Sequence, residues 1–432
     1  MCKRLGKFLA VFTLLVSLST AMAFAVPGSI VKVVKASDGW ELIVNGNPFY
    51  VKGVGCNEAK GTSGEDFMKM ARDMGANAVR NWGGATREYL DKARSNGLMV
   101  DLGFWLNPIR GTTTESYQDK AQCDALKKSI LSYVDEMKDH PALLSWNIGN
   151  EVFHFTEDNN ERIAFGRFLE DVIEQIHKHD PNHPVIYASA YVSGLPFLKE
   201  YVPSLDIVGA NVYGNFTGIK NRLKELDYDK PILATEFGPY GAWDVKKDKN
   251  ALPYDPSDQI KASNYDAMWK QIQSIGKASF GGFAFVLGNQ RNQDSLTWWN
   301  VNLGDNRRAA YWTLYKLYTG CTPANEIPRI SSFATDISSP LTPGARFQVK
   351  TTLSSPLVSQ TKLRYKYFIT NIFGDPLIVE QPCFFPANAH VTDLGTADLQ
   401  APATPGKYRV YVTVSDDNKN IAVADRSILV VQ

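Results

Sequence analysis

Two glutamates stand at the ends of strongly apolar segments, a placement that suits acid–base chemistry. Glu151 comes after the apolar segment 143–149 and Asn150, and Glu236 closes the segment 231–236. A carboxylate in apolar surroundings must be paired or hydrogen-bonded, because burying an unpaired charge is costly. Two carboxylates that face each other can cleave a glycosidic bond, one as the proton donor and the other as the ionised attacking group. Crowding also raises the pKa of one member, which keeps that acid protonated near neutral pH.

The segments that carry these glutamates belong to an alternation of short apolar runs and amphipathic stretches. Residues 165–176 and 265–275 space their apolar side chains three and four positions apart, which predicts helices between the runs. Eight such units are typical of a (β/α)8 barrel, whose active site lies at the carboxyl ends of the strands. The two glutamates, on the fourth and seventh runs, should therefore face each other across the barrel mouth. The eight runs are residues 49–55, 77–81, 98–104, 143–149, 184–188, 207–211, 231–236 and 281–287.

The sequence changes character after the predicted barrel. Beyond Thr322-Pro323 come short alternating runs separated by Pro, Gly, Ser and Asp, which predict an immunoglobulin-like β-sandwich. Ahead of the first run, residues 30–44 predict a hairpin that covers the barrel floor. We therefore expect an α/β architecture, with a (β/α)8 TIM barrel in residues 26–325 and the sandwich in residues 326–432. We expect the sandwich to support the barrel rather than to bind glycan.

The first 25 residues have the layout of a signal peptide. Three basic residues precede an apolar run at residues 8–18, and residues 21–23 offer the small-x-small pattern of a cleavage site. The run is short for a membrane span. We expect residues 1–25 to be removed, and the mature protein to be secreted, or delivered to the periplasm or cell surface, as a monomer without a membrane span.

Composition and charge exclude several classes of function. With 46 Lys and Arg against 45 Asp and Glu, the formal net charge is +1, so no basic surface points to nucleic acid. His177, His179 and His183 lie close in sequence, but they follow the fourth helix at the barrel floor, which favours a solvated loop over a metal site. We expect neither a metal nor a cofactor. The cysteines that follow the leader allow three full pairings, and the sequence does not choose among them. These are Cys56, Cys123, Cys321 and Cys383.

The pattern of residues at the predicted strand ends resembles clan A of the glycoside hydrolases. The resemblance is carried by Arg80 on strand two, Asn150-Glu151 after strand four, Tyr213 on strand six and Glu236 after strand seven. It implies a retaining mechanism in which Glu151 is the acid/base and Glu236 the nucleophile. It further implies that Asn150 binds the sugar 2-hydroxyl, that Arg80 lies near the nucleophile, and that Tyr213 hydrogen-bonds to it.

Two narrower resemblances point to different substrates. The segments around Glu151 and Glu236 are similar to family 2 catalytic domains of the clan. A barrel followed by one immunoglobulin-like domain is more similar to family 158, which implies an endo-acting β-1,3-glucanase. The segment 288–291 lacks the aromatic residue with which strand eight commonly ends in the clan.

Several tryptophans are candidates for stacking on sugar rings, since aromatic faces pack well against the C–H face of a pyranose. We expect Trp243, together with Trp298 or Trp299, to form such platforms. The predicted substrate is a β-linked poly- or oligosaccharide. The alternatives are a β-glucan transglycosylase, another β-glycosidase acting on mannans, galactosides or glucuronides with the same catalytic pair, and a non-catalytic carbohydrate-binding protein. The presence of both glutamates argues against the last of these.

Overall fold

The computed structural model describes residues 27–289, 298–324, 326–338, 340–354, 362–371, 384–386, 390–393 and 395–432. The chain enters through an antiparallel hairpin, β1 (Val31–Ala36) and β2 (Gly39–Val44), joined to the short β3 (Asn47–Pro48). The hairpin covers the amino-terminal end of a barrel. Its buried apolar side chains pack on apolar side chains at the barrel floor, among them Leu144, Ile207 and Phe280.

Eight parallel strands form the closed barrel. Each strand is almost wholly buried, because the barrel interior covers one face and the outer helices cover the other. The strands are β4 (Val51–Gly55), β5 (Ala78–Asn81), β6 (Met99–Phe104), β7 (Leu143–Asn150), β8 (Val185–Ala190), β9 (Ile207–Tyr213), β10 (Ile232–Gly238) and β11 (Ser279–Ala284).

Helices follow the strands and cover the outside of the barrel. Asp119, Asp158 and Ser257 cap three of these helices by accepting hydrogen bonds from backbone N–H groups of the first turn. The helices are α1 (Phe67–Asp73), α2 (Arg87–Ser95), α3 (Lys120–Met137), α4 (Val152–Phe155), α5 (Asn159–His179), α6 (Leu195–Tyr201), α7 (Gly218–Glu225), α8 (Asp258–Ser274) and α9 (Ala309–Thr319).

After a small ribbon of β12 (Asn302–Leu303) and β13 (Asn306–Arg307), two four-stranded antiparallel sheets complete the chain. They pair in the orders β14-β15-β19-β18 and β17-β16-β20-β21, and they share an apolar core that includes Phe347 and Val410. Their strands are β14 (Ile330–Thr335), β15 (Arg346–Leu353), β16 (Arg364–Asn371), β17 (Phe384–Pro386), β18 (His390–Asp393), β19 (Thr396–Gln400), β20 (Gly406–Ser415) and β21 (Ile421–Val430).

The predicted fold class, a (β/α)8 barrel followed by an antiparallel sandwich, is confirmed. The domain limits at residues 26–325 and 326–432 stay predictions, and so does the leader, which lies outside the described residues. Across the described part of the chain, no helix is both long and apolar enough to cross a bilayer. Cys56, Cys123 and Cys321 are free thiols, and Cys383 lies outside the described residues.

Two buried ion pairs, one in the barrel and one in the sandwich, each make a hydrogen bond across the junction between them. Asp258, at the start of α8, accepts hydrogen bonds from the guanidinium of Arg308 and, 3.0 Å away, from the backbone N–H of Val423 in β21. Arg409 in β20 pairs with Asp425 at 2.6 Å and donates to the backbone oxygen of Pro253, also at 2.6 Å. The segment between β10 and α8 is therefore attached to the sandwich at the end that leads into α8.

Candidate active site

Glu236 lies near the carboxyl end of β10, and three donors bind its carboxylate. Oε1 accepts hydrogen bonds from Arg80 Nη1 and from Trp82 Nε1, both at 2.7 Å. Oε2 accepts a hydrogen bond from the hydroxyl of Tyr213, the last residue of β9. An ionised carboxylate only accepts hydrogen bonds, so this environment suits the charged form and fixes the direction of both oxygens.

Arg80 connects Glu236 to the opposite side of the barrel mouth. Its buried guanidinium also donates to Asn150 Oδ1, through Nη2 at 2.8 Å, and to the backbone oxygen of Thr235 at 3.0 Å. The buried carboxylate of Asp101 in β6 lies 3.7 Å from Nε and provides a counter-charge. Because a guanidinium presents several donors in one rigid plane, Arg80 sets the positions of residues from several strands at once.

Glu151 follows β7 directly and is strained at its backbone. Its φ of 56° lies in the left-handed region, which costs a non-glycine residue about 1–3 kcal/mol. The pairing of β7 with β8 shifts register between Asn147 and Asn150, and such irregularities re-aim the side chains that follow. The strained residue is thus held in place by the strand end rather than by its own conformational preference.

The environment of Glu151 differs from that of Glu236. Its Oε1 accepts one hydrogen bond, from Asn211 Nδ2 at 2.8 Å. Burial, and next to it the negative charge of Glu236, raises the pKa of Glu151 from 4.5 to about 7. One carboxyl group is thus arranged to hold a proton near neutral pH, while the other is surrounded by donors. That division is what acid-assisted attack on a glycosidic bond requires.

Asn150, Asn211 and Tyr213 complete the polar floor of the site. The side-chain oxygen of Asn150 accepts from both Arg80 and Asn211, so its amide N–H groups are the part that can serve a ligand hydroxyl. Burial, followed by the charges of Glu236 and Glu151, raises the pKa of Tyr213 well above its usual range. Tyr213 therefore remains a hydrogen-bond donor to Glu236 at neutral pH.

Aromatic rings form one wall beside Glu236. Phe285 follows β11 and packs edge-on against Trp82 at 5.5 Å and Tyr213 at 5.8 Å between ring centroids. An aromatic residue therefore follows strand eight directly, ahead of the segment 288–291. Trp243 lies 6.0 Å from the Tyr213 ring and is 60% exposed at the rim, and its role as a platform stays a prediction.

The prediction of an open platform at Trp298 or Trp299 is wrong. Trp298 is 0% exposed and Trp299 is 5% exposed. Their indole N–H groups donate to the backbone oxygens of Tyr240 at 2.9 Å and Pro239 at 3.0 Å. Both rings are used to anchor the segment after β10, so no face of Trp298 is free for a sugar.

The three histidines that follow one another in sequence do not come together. His177, His179 and His183 each pair with a different aspartate. Over the residues that the structure describes, no cluster of three or more His, Cys, Asp or Glu side chains is arranged to hold a metal ion.

Trp82, Asn211 and Asp101 take part in the site although the sequence analysis did not assign them to it. Side chains two positions apart in a strand point to the same face. Trp82 follows Arg80 by two positions, and Asn211 precedes Tyr213 by two, so the alternation itself could have identified both. Asp101 could not be identified in this way, because an aspartate within an apolar run can equally well have a purely structural role.

Comparisons with known proteins agree with this architecture. Residues 34–242 match the family described as glycosyl hydrolases family 2, TIM barrel domain. β-Glucuronidase of Pongo abelii is 25% identical over 217 residues, which cover 46% of this chain and 32% of that protein. β-Glucuronidase of Paenibacillus borealis is 22% identical over 233 residues, covering 46% of this chain and 37% of that protein. The chain thus spans about a third of the length of these curated relatives.

Solved structures show the same fold. The structure of Bacteroides uniformis β-glucuronidase aligns with a TM-score of 0.52 at 14% identity, covering 93% of this chain and 48% of that chain. The structure of Bifidobacterium dentium β-glucuronidase complexed with coumarin-3-O-glucuronide aligns with a TM-score of 0.52 at 16% identity, covering 69% of this chain and 50% of that chain.

The matched range contains the polar site and ends beside the aromatic rim. It includes Arg80, Glu151, Tyr213 and Glu236, and it stops one residue before Trp243. The expected resemblance to a family 2 barrel is confirmed. The narrower expectation of an endo-acting β-1,3-glucanase is not supported by these comparisons, whose curated relatives are named β-glucuronidases.

Proposed function

We propose that this chain is a retaining β-glycosidase acting on β-D-glucuronides, on the premise that residues 34–242 match the family 2 TIM barrel domain of glycosyl hydrolases. The observation that carries the mechanism is the contrast between the two carboxyl groups. Glu236 is bound by three donors, whereas the pKa of Glu151 is raised to about 7, chiefly by burial. The substrate assignment is supported by the curated relatives, which are named β-glucuronidases.

In the first step a carboxylate oxygen of Glu236 attacks the anomeric carbon and forms a new C–O bond. The glycosidic C–O bond breaks, and its electron pair stays on the leaving oxygen. That oxygen takes the proton of Glu151, so the alcohol departs neutral and Glu151 becomes a carboxylate. The product of this step is an α-linked glycosyl ester of Glu236.

In the second step Glu151 acts as the base. It removes a proton from a water molecule, whose oxygen attacks the anomeric carbon from the face that the leaving group vacated. The ester bond breaks and returns its electron pair to Glu236, where Arg80, Trp82 and Tyr213 stabilise the regenerated carboxylate. Two inversions give net retention of the β configuration, and Glu151 recovers its proton.

We further propose that the enzyme acts outside the cytoplasm. This proposal is supported by the leader-like composition of residues 1–25, with a basic start, an apolar run and small residues at the predicted cleavage site.

The proposed activity is tested by incubating the full chain with 4-nitrophenyl β-D-glucuronide and with the matching β-D-glucoside, β-D-galactoside and β-D-mannoside. We expect release of nitrophenol from the glucuronide and its loss in Glu236→Gln, which keeps the shape of the side chain but removes the charge. Hydrolysis of another glycoside in preference to the glucuronide would contradict the substrate assignment while leaving the mechanism. Hydrolysis that survives Glu236→Gln would contradict the mechanism.

A further inference from the structure

A pocket lies beside the barrel mouth, outside the group of residues that surround the two glutamates. It is formed by the loop between β6 and α3 and by the first turns of α3, and its volume is about 180 Å³. A water molecule in liquid occupies about 30 Å³, so the pocket has room for roughly six waters, or for part of a sugar ring. Its lining includes Trp105, Asn107, Glu115, Gln122, Cys123 and Leu126.

The loop that forms the pocket is attached to the segment that carries Glu151. The backbone oxygen of Ile109 accepts from the N–H of Glu157 at 3.0 Å, and the Ile109 N–H donates to Thr156 Oγ1 at 3.1 Å. Leu106, also in the pocket wall, packs against the Gly149 backbone two residues before Glu151. The pocket therefore adjoins the acid/base side of the site. Because Glu151 gives its proton to the leaving oxygen, groups on this side face the leaving group of the substrate.

Trp105 joins the pocket to the catalytic residues. It follows β6 directly, and its backbone lies so close to Gly83 that a Cβ at that glycine would come within 3.1 Å of Trp105 N. Gly83 in turn follows Trp82, which binds Glu236. The indole of Trp105 is 51% exposed, in contrast to the buried Trp298. A half-exposed indole thus follows a backbone that touches the neighbour of Trp82, and it forms one edge of the pocket.

The orientation of Trp105 is fixed by a chain of hydrogen bonds. Its Nε1 donates to Asn107 Oδ1 at 3.1 Å, and Asn107 Nδ2 donates to Glu115 Oε1, also at 3.1 Å. The hydroxyl of Tyr117 donates to the backbone oxygen of Asn107 at 2.7 Å. These bonds use the edge of the indole and leave its face for contact. A side chain that is held in place before binding loses less conformational entropy when a ligand stacks on it.

The chemistry of the lining selects a class of ligand. An indole face packs on the C–H face of a pyranose, and the Glu115 carboxylate offers hydrogen-bond acceptors for hydroxyls. The Glu115 charge also disfavours an anionic ring in the same pocket. We propose that this pocket binds a neutral hexopyranose in the leaving group, so that the natural substrate is an oligosaccharide whose non-reducing end is the sugar cleaved at Glu236. This inference rests on the proposed function for the direction of the substrate.

The kinetic test compares two kinds of substrate that share the same glycone. The first is 4-nitrophenyl β-D-glucuronide. The second is a set of β-D-glucuronyl trisaccharides, each with two neutral hexoses on the leaving side. We expect Trp105→Ala to lower kcat/KM on the best trisaccharide about tenfold and to leave the nitrophenyl glucuronide within about twofold. Trp105→Phe, which keeps an aromatic face, should retain most of the trisaccharide activity. Trp40→Ala, in the floor hairpin, is the matched control and should change neither.

Equal losses on both substrates in Trp105→Ala would overturn the proposal, because they would mean that Trp105 acts by positioning Trp82. An unchanged trisaccharide activity would overturn it as well. If the wild-type chain cleaves no glucuronide at all, the proposed function fails, and the binding site is then judged by the thiol measurement alone.

Cys123 provides that second measurement, because its half-buried thiol lines the pocket. We expect neutral disaccharides such as cellobiose, at high concentration, to slow the alkylation of Cys123 by iodoacetamide without slowing that of the exposed Cys321, as followed by peptide mass spectrometry. Equal labelling of Cys123 with and without a panel of neutral disaccharides would contradict a sugar site here. This readout needs no variant and therefore remains valid if Trp105→Ala does not fold.

Discussion

The indole Nε1 of Trp82 lies 2.7 Å from Oε1 of Glu236, the same carboxylate oxygen that Arg80 binds. The ring of Trp82 also lies 5.0 Å from the Arg80 guanidinium carbon, measured to the ring centroid. A single aromatic residue therefore contacts the proposed nucleophile and the cation beside it. The contact helps to fix the orientation of the Glu236 carboxylate.

Removing this hydrogen bond should slow the chemical steps. Trp82→Phe keeps an aromatic ring but loses the N–H donor to a charged acceptor, a contact worth about 1.5–3 kcal/mol. We expect kcat on 4-nitrophenyl β-D-glucuronide to fall about 10- to 100-fold, with a smaller change in KM. Trp312→Phe is the matched control, since it loses an indole hydrogen bond to Asn420 near the sandwich, away from the site. Wild-type kcat in Trp82→Phe would show that the contact has no catalytic role.

The raised pKa of Glu151 predicts the basic limb of the pH profile. Glu151 must be protonated to assist departure, and its pKa is raised to about 7, chiefly by burial. For an alkyl β-D-glucuronide, whose leaving group needs the acid, kcat/KM should fall as pH rises through about 7. For 2,4-dinitrophenyl β-D-glucuronide, which departs without a proton, the same limb should be absent. A limb at the same pH with both substrates would assign it to another group.

The same raised pKa predicts that Glu151 destabilises the fold at high pH. The unfolded chain loses this proton near pH 4.5, whereas the folded protein retains it until about pH 7. Stability therefore falls with rising pH between those values, because the unfolded state binds fewer protons than the folded state. We expect Glu151→Gln, which can still accept from Asn211, to raise the melting temperature at pH 8 and to leave it unchanged at pH 4. An equal shift at both pH values would contradict the linkage.

The junction between barrel and sandwich should contribute to stability. Asp258→Ala removes the partner of both the buried Arg308 guanidinium and the Val423 N–H. Removing one partner of a buried ion pair costs about 3–5 kcal/mol, so we expect a clear drop in melting temperature. Lys419→Ala is the matched control, because the Lys419–Asp305 pair crosses the same junction while exposed to solvent and should matter by less than about 1 kcal/mol. Similar melting temperatures for the two variants would contradict a stabilising role for Asp258.

Truncation of the exposed Trp243 and truncation of the buried Trp298 should have different effects. Trp243 is 60% exposed, so Trp243→Ala should weaken substrate binding, raise KM and leave the melting temperature nearly unchanged. Trp298 is fully buried and anchors the segment after β10, so Trp298→Ala should cost about 3–5 kcal/mol of stability. Kinetics and thermal unfolding of both variants check this. A stable Trp298→Ala enzyme with raised KM would restore the platform assignment.

The barrel and the positions of its principal polar residues could be predicted from the sequence because they depend on local patterns. Apolar runs of strand length fix where each strand ends, and the barrel fold fixes which end forms the site. Arg80, Tyr213, Glu151 and Glu236 each stand at such an end, so their convergence follows once the strands are counted. The hydrogen bonds among them involve residues more than 20 positions apart and became visible only in the structure.

The aromatic residues could not be sorted in the same way. Trp243 and Trp298 both follow a barrel strand, and the sequence around them does not show which of the two is buried. What separates them is whether the indole N–H finds a buried backbone acceptor, as Trp298 does at Tyr240, and this depends on how a long segment folds back. The backbone strain at Glu151 could not be predicted either, because no neighbouring residue in the sequence requires a positive φ at this position.

The stereochemistry of azide products tests the central claim most directly, namely that Glu236 is the nucleophile and Glu151 the acid/base. With 2,4-dinitrophenyl β-D-glucuronide, Glu151→Ala should form the glycosyl-enzyme and then stall, because no base activates water. Azide needs no base, so it should restore turnover and give the β-glucuronyl azide. In Glu236→Ala, azide can enter only from the face that the missing carboxylate leaves open, and it should give the α-azide. The reverse pair of products would contradict the assignment.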